Sequence, residues 1–173
     1  MQAITMTIYL PLPPYLRDFF THEMGGGSPV HLKKGCMEAI YLETFLTPPP
    51  SGYTPDLPGA DTLAIELPNF RSLDTRSAYY LPPQARLGLV DMILNRFDLA
   101  MWTELHRFAN LFKRQDRLIY AFMEKYGIEP TATNWDAVAK RYRRKRDIYL
   151  RGVRAAKSKK VQKNSPDFDG VKS

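Results

Sequence analysis

The sequence predicts an α+β protein: a small mixed or antiparallel sheet packed by helices, followed by a C-terminal helical unit with a basic helix. Three observations lead to this prediction. Short segments rich in β-branched residues in the first half of the chain end at proline, which a strand rarely continues past. Apolar residues at helical spacing fill the second half. Lys and Arg are concentrated in the last of these helical stretches.

Four short apolar segments are predicted to be strands. They lie at 4–10, 30–32, 62–67 and 78–81. Alternation of apolar and polar residues is clearest in the first of them, which stops at Pro11. Together the four segments can form one sheet, whose strand order stays open because the intervening helices admit several pairings.

A short motif links the first and third of these segments. Ile-x-Leu-Pro occurs at Ile8 and again 57 residues later at Ile65. In each case another predicted strand and an amphipathic helix follow. Two explanations remain open: a faint internal duplication, or chance recurrence at the ends of two unrelated strands.

Proline and glycine mark the ends of the first two helices. Pro13-Pro14 favours a helix start, and the run of three glycines from Gly25 favours its end, which places the first helix at about 14–24. The second helix begins after Gly35 and is stopped by the prolines that start at Pro48. The proline-rich stretch 47–61 has no apolar period and is expected to be an extended surface loop.

The helical half of the chain begins after Pro82-Pro83, a pair that favours a helix start. One apolar stripe runs from Leu87 to Phe112 and a second from Leu118 to Tyr126, with a charged break between them. Gly127 fits the position that follows a helix, and Asn134 is expected to cap the final helix.

At 173 residues the chain is long enough for one compact domain, in which we distinguish three regions. Residues 1–81 form the region of strands and helices, and residues 82–157 form the helical region that ends in the basic helix. Residues 158–173 are Lys-rich and then contain Pro and Asp, so a disordered tail is expected. Because the sequence contains no long apolar run, no leader sequence and only one cysteine, we expect a cytoplasmic protein without membrane contact.

Charge is distributed unevenly along the chain. Residues 135–163 contain twelve Lys or Arg and two Asp, a net charge of +10, whereas residues 1–134 have a net charge of −2. A compact positive element attracts a polyanion, because neutralised phosphates release their condensed counterions. The residues predicted to bind nucleic acid are Lys140, Arg141, Arg143, Arg144, Lys145, Arg151, Arg154 and Lys157.

Residue types that support catalysis or metal binding form no recognisable pattern. His22-Glu23 lacks the second histidine that a zinc-binding helix carries four residues further on. The glycine run at Gly25 lacks the lysine of a phosphate-binding loop. Cys36 lies at a predicted helix start, where a thiol pKa can fall, although burial as a small apolar residue is the expectation. We expect no catalytic residues, no metal and no cofactor.

The stretch 95–150 resembles small uncharacterised proteins of gut-bacterial conjugative elements and prophages. The resemblance covers about a third of the chain and rests on Arg96-Phe97, Met101-Trp102, Glu104-Leu105, Ile119-Tyr120-Ala121-Phe122-Met123-Glu124, Gly127-Ile128 and Trp135-Asp136-Ala137-Val138. It implies a mobile-element context, in which small DNA-binding accessory and regulatory proteins are common. It supplies no site residues.

Charge and resemblance together predict a protein that binds nucleic acid, duplex DNA in the first place, without catalysis. In this interpretation it is an accessory or regulatory protein of a mobile element, and its basic helix contacts phosphates. Two alternatives stay open. An acidic protein partner suits the same helix if the chain is an interaction or assembly module of a phage or conjugative apparatus. RNA is the other alternative, because the chain is rich in aromatic residues that stack on bases.

Overall fold

The computed structural model describes residues 6–108 and 114–163, and side chains as far as residue 158. Three strands alternate with helices in its first part, and two further helices end it, giving three strands and five helices in the described residues. Their order is β1 (Thr7–Pro11), α1 (Pro14–Glu23), β2 (Val30–His31), α2 (Met37–Phe45), β3 (Thr62–Glu66), α3 (Pro83–Phe108), α4 (Gln115–Lys125) and α5 (Ala132–Lys163). The predicted α+β class is confirmed. None of the helices in the described ranges combines the length and apolar character that crossing a membrane requires.

The sheet is mixed, with the strand order β1-β3-β2. β1 and β3 are antiparallel with Ile8 opposite Ile65, and β2 lies parallel to β3 with Val30 opposite Ile65. The two copies of the Ile-x-Leu-Pro motif are therefore direct neighbours, and their alternate residues are buried on one face. The described chain forms no helix between β3 and α3, so the second copy has no counterpart of α1.

The prediction of a fourth strand at 78–81 is wrong. Within this segment Tyr80 forms an isolated antiparallel bridge with Thr47, in which each residue donates its N–H to the other's carbonyl oxygen. The next hydrogen-bonded positions of such a ladder include Pro49 on one side and Pro82 on the other. Because proline has no N–H to donate, the bridge cannot lengthen into a strand.

One hydrophobic core joins the sheet to the helices, and α3 runs through it. The buried apolar residues of α3 recur at every fourth position: Ala85, Leu89, Ile93, Phe97, Met101 and Leu105. Leu87, which the sequence places on the apolar stripe, is exposed instead. The ring of Phe97 is edge-on to three others, at centroid distances of 5.1 Å from Tyr15, 5.1 Å from Phe19 and 5.8 Å from Phe122. Phe97 is thus the aromatic centre at which α1, α3 and α4 meet.

The helix ends follow the predicted signals, with one difference. Gly127 follows α4 with a φ of +63°, as a glycine after a helix should. The cap of α5 is Thr131 rather than Asn134: the Thr131 hydroxyl accepts a hydrogen bond from the Asn134 N–H at 3.1 Å. The Asn134 side chain is buried and donates to the Glu129 carbonyl oxygen at 3.0 Å, because it lies one turn inside the helix, where it faces the body.

The loop and tail predictions have different outcomes. The proline-rich stretch 47–61 forms no helix, and its only β-bridge is the one at Thr47, as expected of an extended loop. α5 continues to Lys163, so residues 158–163 are helical although the sequence placed them in a disordered tail. The rest of the predicted tail, 164–173, lies outside the described residues, as does part of the first apolar stripe at 109–113.

A buried ion pair holds α2 against α3. Glu38 is 1% exposed and accepts two hydrogen bonds from the Arg96 guanidinium, both of 2.8 Å. Burial by itself raises the pKa of the Glu38 carboxyl, but the hydrogen bonds and charge of Arg96 outweigh it and leave that pKa below its ordinary value. A carboxyl with a lowered pKa stabilises the fold above its unfolded-state pKa, and this contribution is lost as the pH falls through the folded-state value.

We expect Glu38→Gln to lower the free energy of unfolding by roughly 1–3 kcal/mol at neutral pH, because Arg96 loses its charged partner. Urea denaturation below about pH 4 should show a smaller difference from the wild type, since the wild-type carboxyl is then losing its charge too. Glu124→Gln, at an exposed position of α4, is the matched control and should change little at either pH. A difference that is independent of pH would contradict the role given to the ionised carboxylate.

Candidate functional site

The first half of α5 packs against the body and the rest extends past it. Val138, Ala139 and Tyr142 are buried in the core. Two turns further on, the Tyr149 ring lies 5.5 Å from Trp102 and 4.8 Å from His106, both on α3. From residue 150 to 158 every side chain is exposed except the half-buried Val153. We call residues 150–163 the arm; at about 1.5 Å per residue it is roughly 20 Å long.

Three of the predicted nucleic-acid-binding residues are already paired with carboxylates. Lys140 lies 2.7 Å from Asp136, one turn earlier on α5. The Arg141 guanidinium donates two hydrogen bonds to Asp98 of α3, at 2.8 and 2.9 Å, and the Lys145 ammonium lies 3.2 Å from the same carboxylate. Arg141 and Lys145 therefore hold α5 against α3, and their contact with phosphate stays a prediction.

Asp98 was not predicted from the sequence to have this role. It is buried, since it lies on α3 one turn before Met101 and Trp102 and so faces α5. Burial favours a raised pKa for the Asp98 carboxyl, but the hydrogen bonds and charges of Arg141 and Lys145 prevail and lower that pKa. Its position within the apolar stripe of α3 is the sequence signal that could have revealed it.

The other predicted cations are exposed and form no ion pair with any residue in the described ranges. They are Arg143, Arg144, Arg151, Arg154 and Lys157. Arg146 is exposed as well. The Arg143 guanidinium lies 5.7 Å from the centre of the Trp135 ring, which supports this side chain by a cation–π contact.

These cations are arranged mainly along one side of α5. At about 100° per residue Lys140, Arg144 and Arg151 lie within roughly 40° of one another, opposite the buried Tyr142. Arg143 and Arg154 lie next to them on one side, and we call these five residues the basic face. Asp147 also lies on this side and reduces its charge by one. The basic face continues from the body onto the arm.

An open groove of about 720 Å³ separates α5 from α3 beside the basic face. Four cations line it, namely Lys140, Arg141, Arg144 and Lys145, together with the carboxylate of Asp98. The rings of Trp102 and Tyr149 line it too, and Trp102 is stacked on His106 at 4.6 Å with 19° between the ring planes. The sequence reasoning did not identify these rings as part of a site. Trp102 and His106 are four residues apart on α3, so their rings lie on the same side of that helix. This spacing, together with Tyr149 on α5, is the sequence signal that could have revealed them.

Other residues considered for chemistry lie away from this groove. Cys36 precedes α2 and is half-buried, and burial raises the pKa of its thiol, so the reactive thiolate is disfavoured. In residues 6–108 and 114–158, His, Cys, Asp and Glu form no group of three or more that could hold a metal ion. The surface of α5 is therefore the part of the described chain with the clearest binding chemistry.

No protein-family model, curated protein or solved structure matches this chain. The arrangement of charges and rings on α5 and α3 is accordingly the observation on which a function can rest.

The ion pairs of Asp98 allow a test of how α5 is held. Asp98→Asn should lower the free energy of unfolding by roughly 1–3 kcal/mol at neutral pH, because Arg141 and Lys145 lose a buried carboxylate. Asp91→Asn, at an exposed position of the same helix, serves as the control and should have an effect within about 0.5 kcal/mol. Equal stability of the two variants in urea denaturation would mean that Asp98 does not fasten α5.

Proposed function

We propose that this protein is a non-catalytic DNA-binding accessory or regulatory protein of a mobile genetic element. The observation that carries the proposal is the set of exposed cations on α5 without an ion pair among the described residues: Arg143, Arg144, Arg151, Arg154 and Lys157. The mobile-element context is supported by the resemblance of residues 95–150 alone.

The placement of these cations suits a polyanion better than a solvated surface. They extend over about 20 Å of one rigid helix, so their mutual repulsion cannot be relieved by moving the backbone apart. Phosphates relieve this repulsion, and the counterions they release add a favourable entropy. Because the arm projects past the body, a phosphate backbone can approach it without a clash with α3 or α4.

Contacts of this kind hold a nucleic acid without reading its sequence. We therefore expect little preference among duplexes of different sequence. We also expect the logarithm of the affinity to fall linearly with the logarithm of the salt concentration, by about 0.9 for each phosphate neutralised.

A second candidate function is the binding of an acidic protein. The observation that favours it is the exposure of Ile148, Tyr149 and Leu150, of which Ile148 is 60% exposed, beside the cations of α5. An acidic amphipathic segment offers both carboxylates and apolar side chains to such a surface. Nucleic acid is preferred here because the cations outnumber these apolar residues and continue along the arm, where most side chains are polar or small.

The proposal is tested by fluorescence anisotropy of labelled duplex DNA, single-stranded DNA and RNA at several salt concentrations. The full chain is compared with a chain that ends at Leu150, which keeps Val138, Tyr142 and Tyr149 and hence the contacts of α5 with the body. We expect the shorter chain to keep its thermal midpoint, and to lose only the helical circular dichroism signal of the removed residues, but to lose most of its affinity. Absence of binding by the full chain at low salt would reject nucleic acid and favour the acidic protein partner.

A further inference from the structure

Two aromatic rings that are not fully buried, those of Trp102 and Tyr149, line the groove between α3 and α5. Tyr149 is 45% exposed, and Trp102 is only partly buried. Each ring is held by neighbours: Trp102 stacks on His106, and Tyr149 lies against both Trp102 and His106. Rings that are already fixed lose little conformational freedom when a further planar group packs against them. They form a platform for a flat, uncharged group.

The same groove is strongly positive. Its lining contains four cations and one carboxylate, Asp98, which leaves a net charge of +3. Asp98 is already bound to Arg141 and Lys145, so it compensates only part of this charge. An anionic group in the groove would meet Arg144, which has no ion pair among the described residues, and beside it Lys140, which is paired with Asp136. A flat ring joined to an anion is the chemistry of a nucleotide.

The size of this groove suits a single nucleotide better than paired bases. Its volume of about 720 Å³ is typical of sites for single small molecules rather than for a double helix. In a duplex the faces of the bases are stacked on one another, so a protein ring cannot stack on them. An unpaired nucleotide exposes the face of its base and can enter.

We infer that the groove binds an unpaired nucleotide, with the base against Tyr149 and Trp102 and the phosphate at Arg144. The inference rests on the proposed function and names its ligand class: nucleic acid with a single-stranded segment. Arg144 carries the connection, because it belongs both to the basic face and to the lining of the groove. A strand whose phosphates follow the basic face passes Arg144 and turns a base into the groove there.

The test uses the full chain with Trp135→Phe, so that Trp102 is its single tryptophan. The probes are a labelled single strand of about 12 nucleotides, a duplex of the same sequence, and dAMP, and the readouts are anisotropy and tryptophan fluorescence. The single strand is expected to quench Trp102, whereas the duplex binds with little quenching. Tyr149→Ala should weaken binding of the single strand by roughly 5- to 150-fold and leave the affinity for the duplex unchanged.

Tyr120→Ala is the matched control, because Tyr120 is 49% exposed but lies on α4 near Trp135, away from the groove. It should leave the affinities for both probes unchanged. Equal effects of Tyr149→Ala on single strand and duplex, or binding of the single strand without quenching, would overturn the groove as a nucleotide site while the proposed function stands. If dAMP quenches Trp102 with the same affinity as the single strand, the groove is a site for a free nucleotide, and the inference of a bound strand is wrong. Failure of both labelled probes to bind would overturn the proposed function itself.

Discussion

Replacing Arg151, Arg154 and Lys157 together by alanine is expected to weaken nucleic-acid binding by roughly two to three orders of magnitude at about 0.1 M salt. Each phosphate contact contributes about 0.9 to the slope of log affinity against log salt, so three lost contacts account for a change of this size. The slope itself should become less steep by nearly three. Anisotropy titrations at four or more salt concentrations measure both quantities.

The fold should survive this triple substitution. All three side chains are exposed on the arm, none has an ion pair among the described residues, and alanine is the best helix former. A control variant with Lys34, Arg71 and Arg117 replaced by alanine removes the same charge from exposed positions elsewhere. If the control weakens binding as much as the arm variant does, the protein binds through its overall charge, and the assignment of the arm is wrong.

Phe97→Ala should have the largest effect on stability of any substitution considered, a loss of about 3–5 kcal/mol in the free energy of unfolding. The Phe97 side chain is fully buried and its ring contacts Tyr15, Phe19 and Phe122. Truncation leaves a cavity between three helices that cannot all move inward at once. Since small domains are stable by only about 5–15 kcal/mol, much of the total is at stake.

The measurement is the midpoint of urea denaturation. The slope of the unfolding free energy against urea concentration should stay unchanged, so that a shift of the midpoint reports a change in stability. Leu99→Ala is the control on the same helix, two residues away, where the side chain is 69% exposed. It should change the free energy of unfolding by no more than about 0.5 kcal/mol. Similar losses of stability for the two variants would show that the burial of Phe97 does not stabilise the core.

Several elements follow from signals within a few residues of the chain. α1 begins directly after Pro13, and α4 ends just before Gly127, as the conformations available to proline and glycine require. The amphipathic stripes of α3 and α4 are likewise local properties. Predictions that depended on a distant partner did less well. Tyr80 failed to build a strand because its partner Thr47 is followed by prolines.

In the candidate site, too, some properties of the α5 cations follow from the local sequence and others depend on distant residues. Their number and concentration can be counted in the sequence. The sequence does not show which of them remain available to a ligand, because the partner of Arg141 lies 43 residues away on another helix. The aromatic side of the groove was missed for the same reason, since Tyr149 meets Trp102 and His106 only when α5 lies along α3.

By itself the sequence determined the α+β class, most helix ends and the concentration of positive charge near the C-terminus. These depend on backbone conformation, side-chain periodicity and composition, all of which act over short stretches of chain. Only the tertiary structure decided that Asp98 holds Arg141 and Lys145, that Arg151 and Arg154 stay exposed on the arm, and that cations and rings share one groove. Each of these depends on where α5 lies against α3, and that position is set by the packing of the whole core.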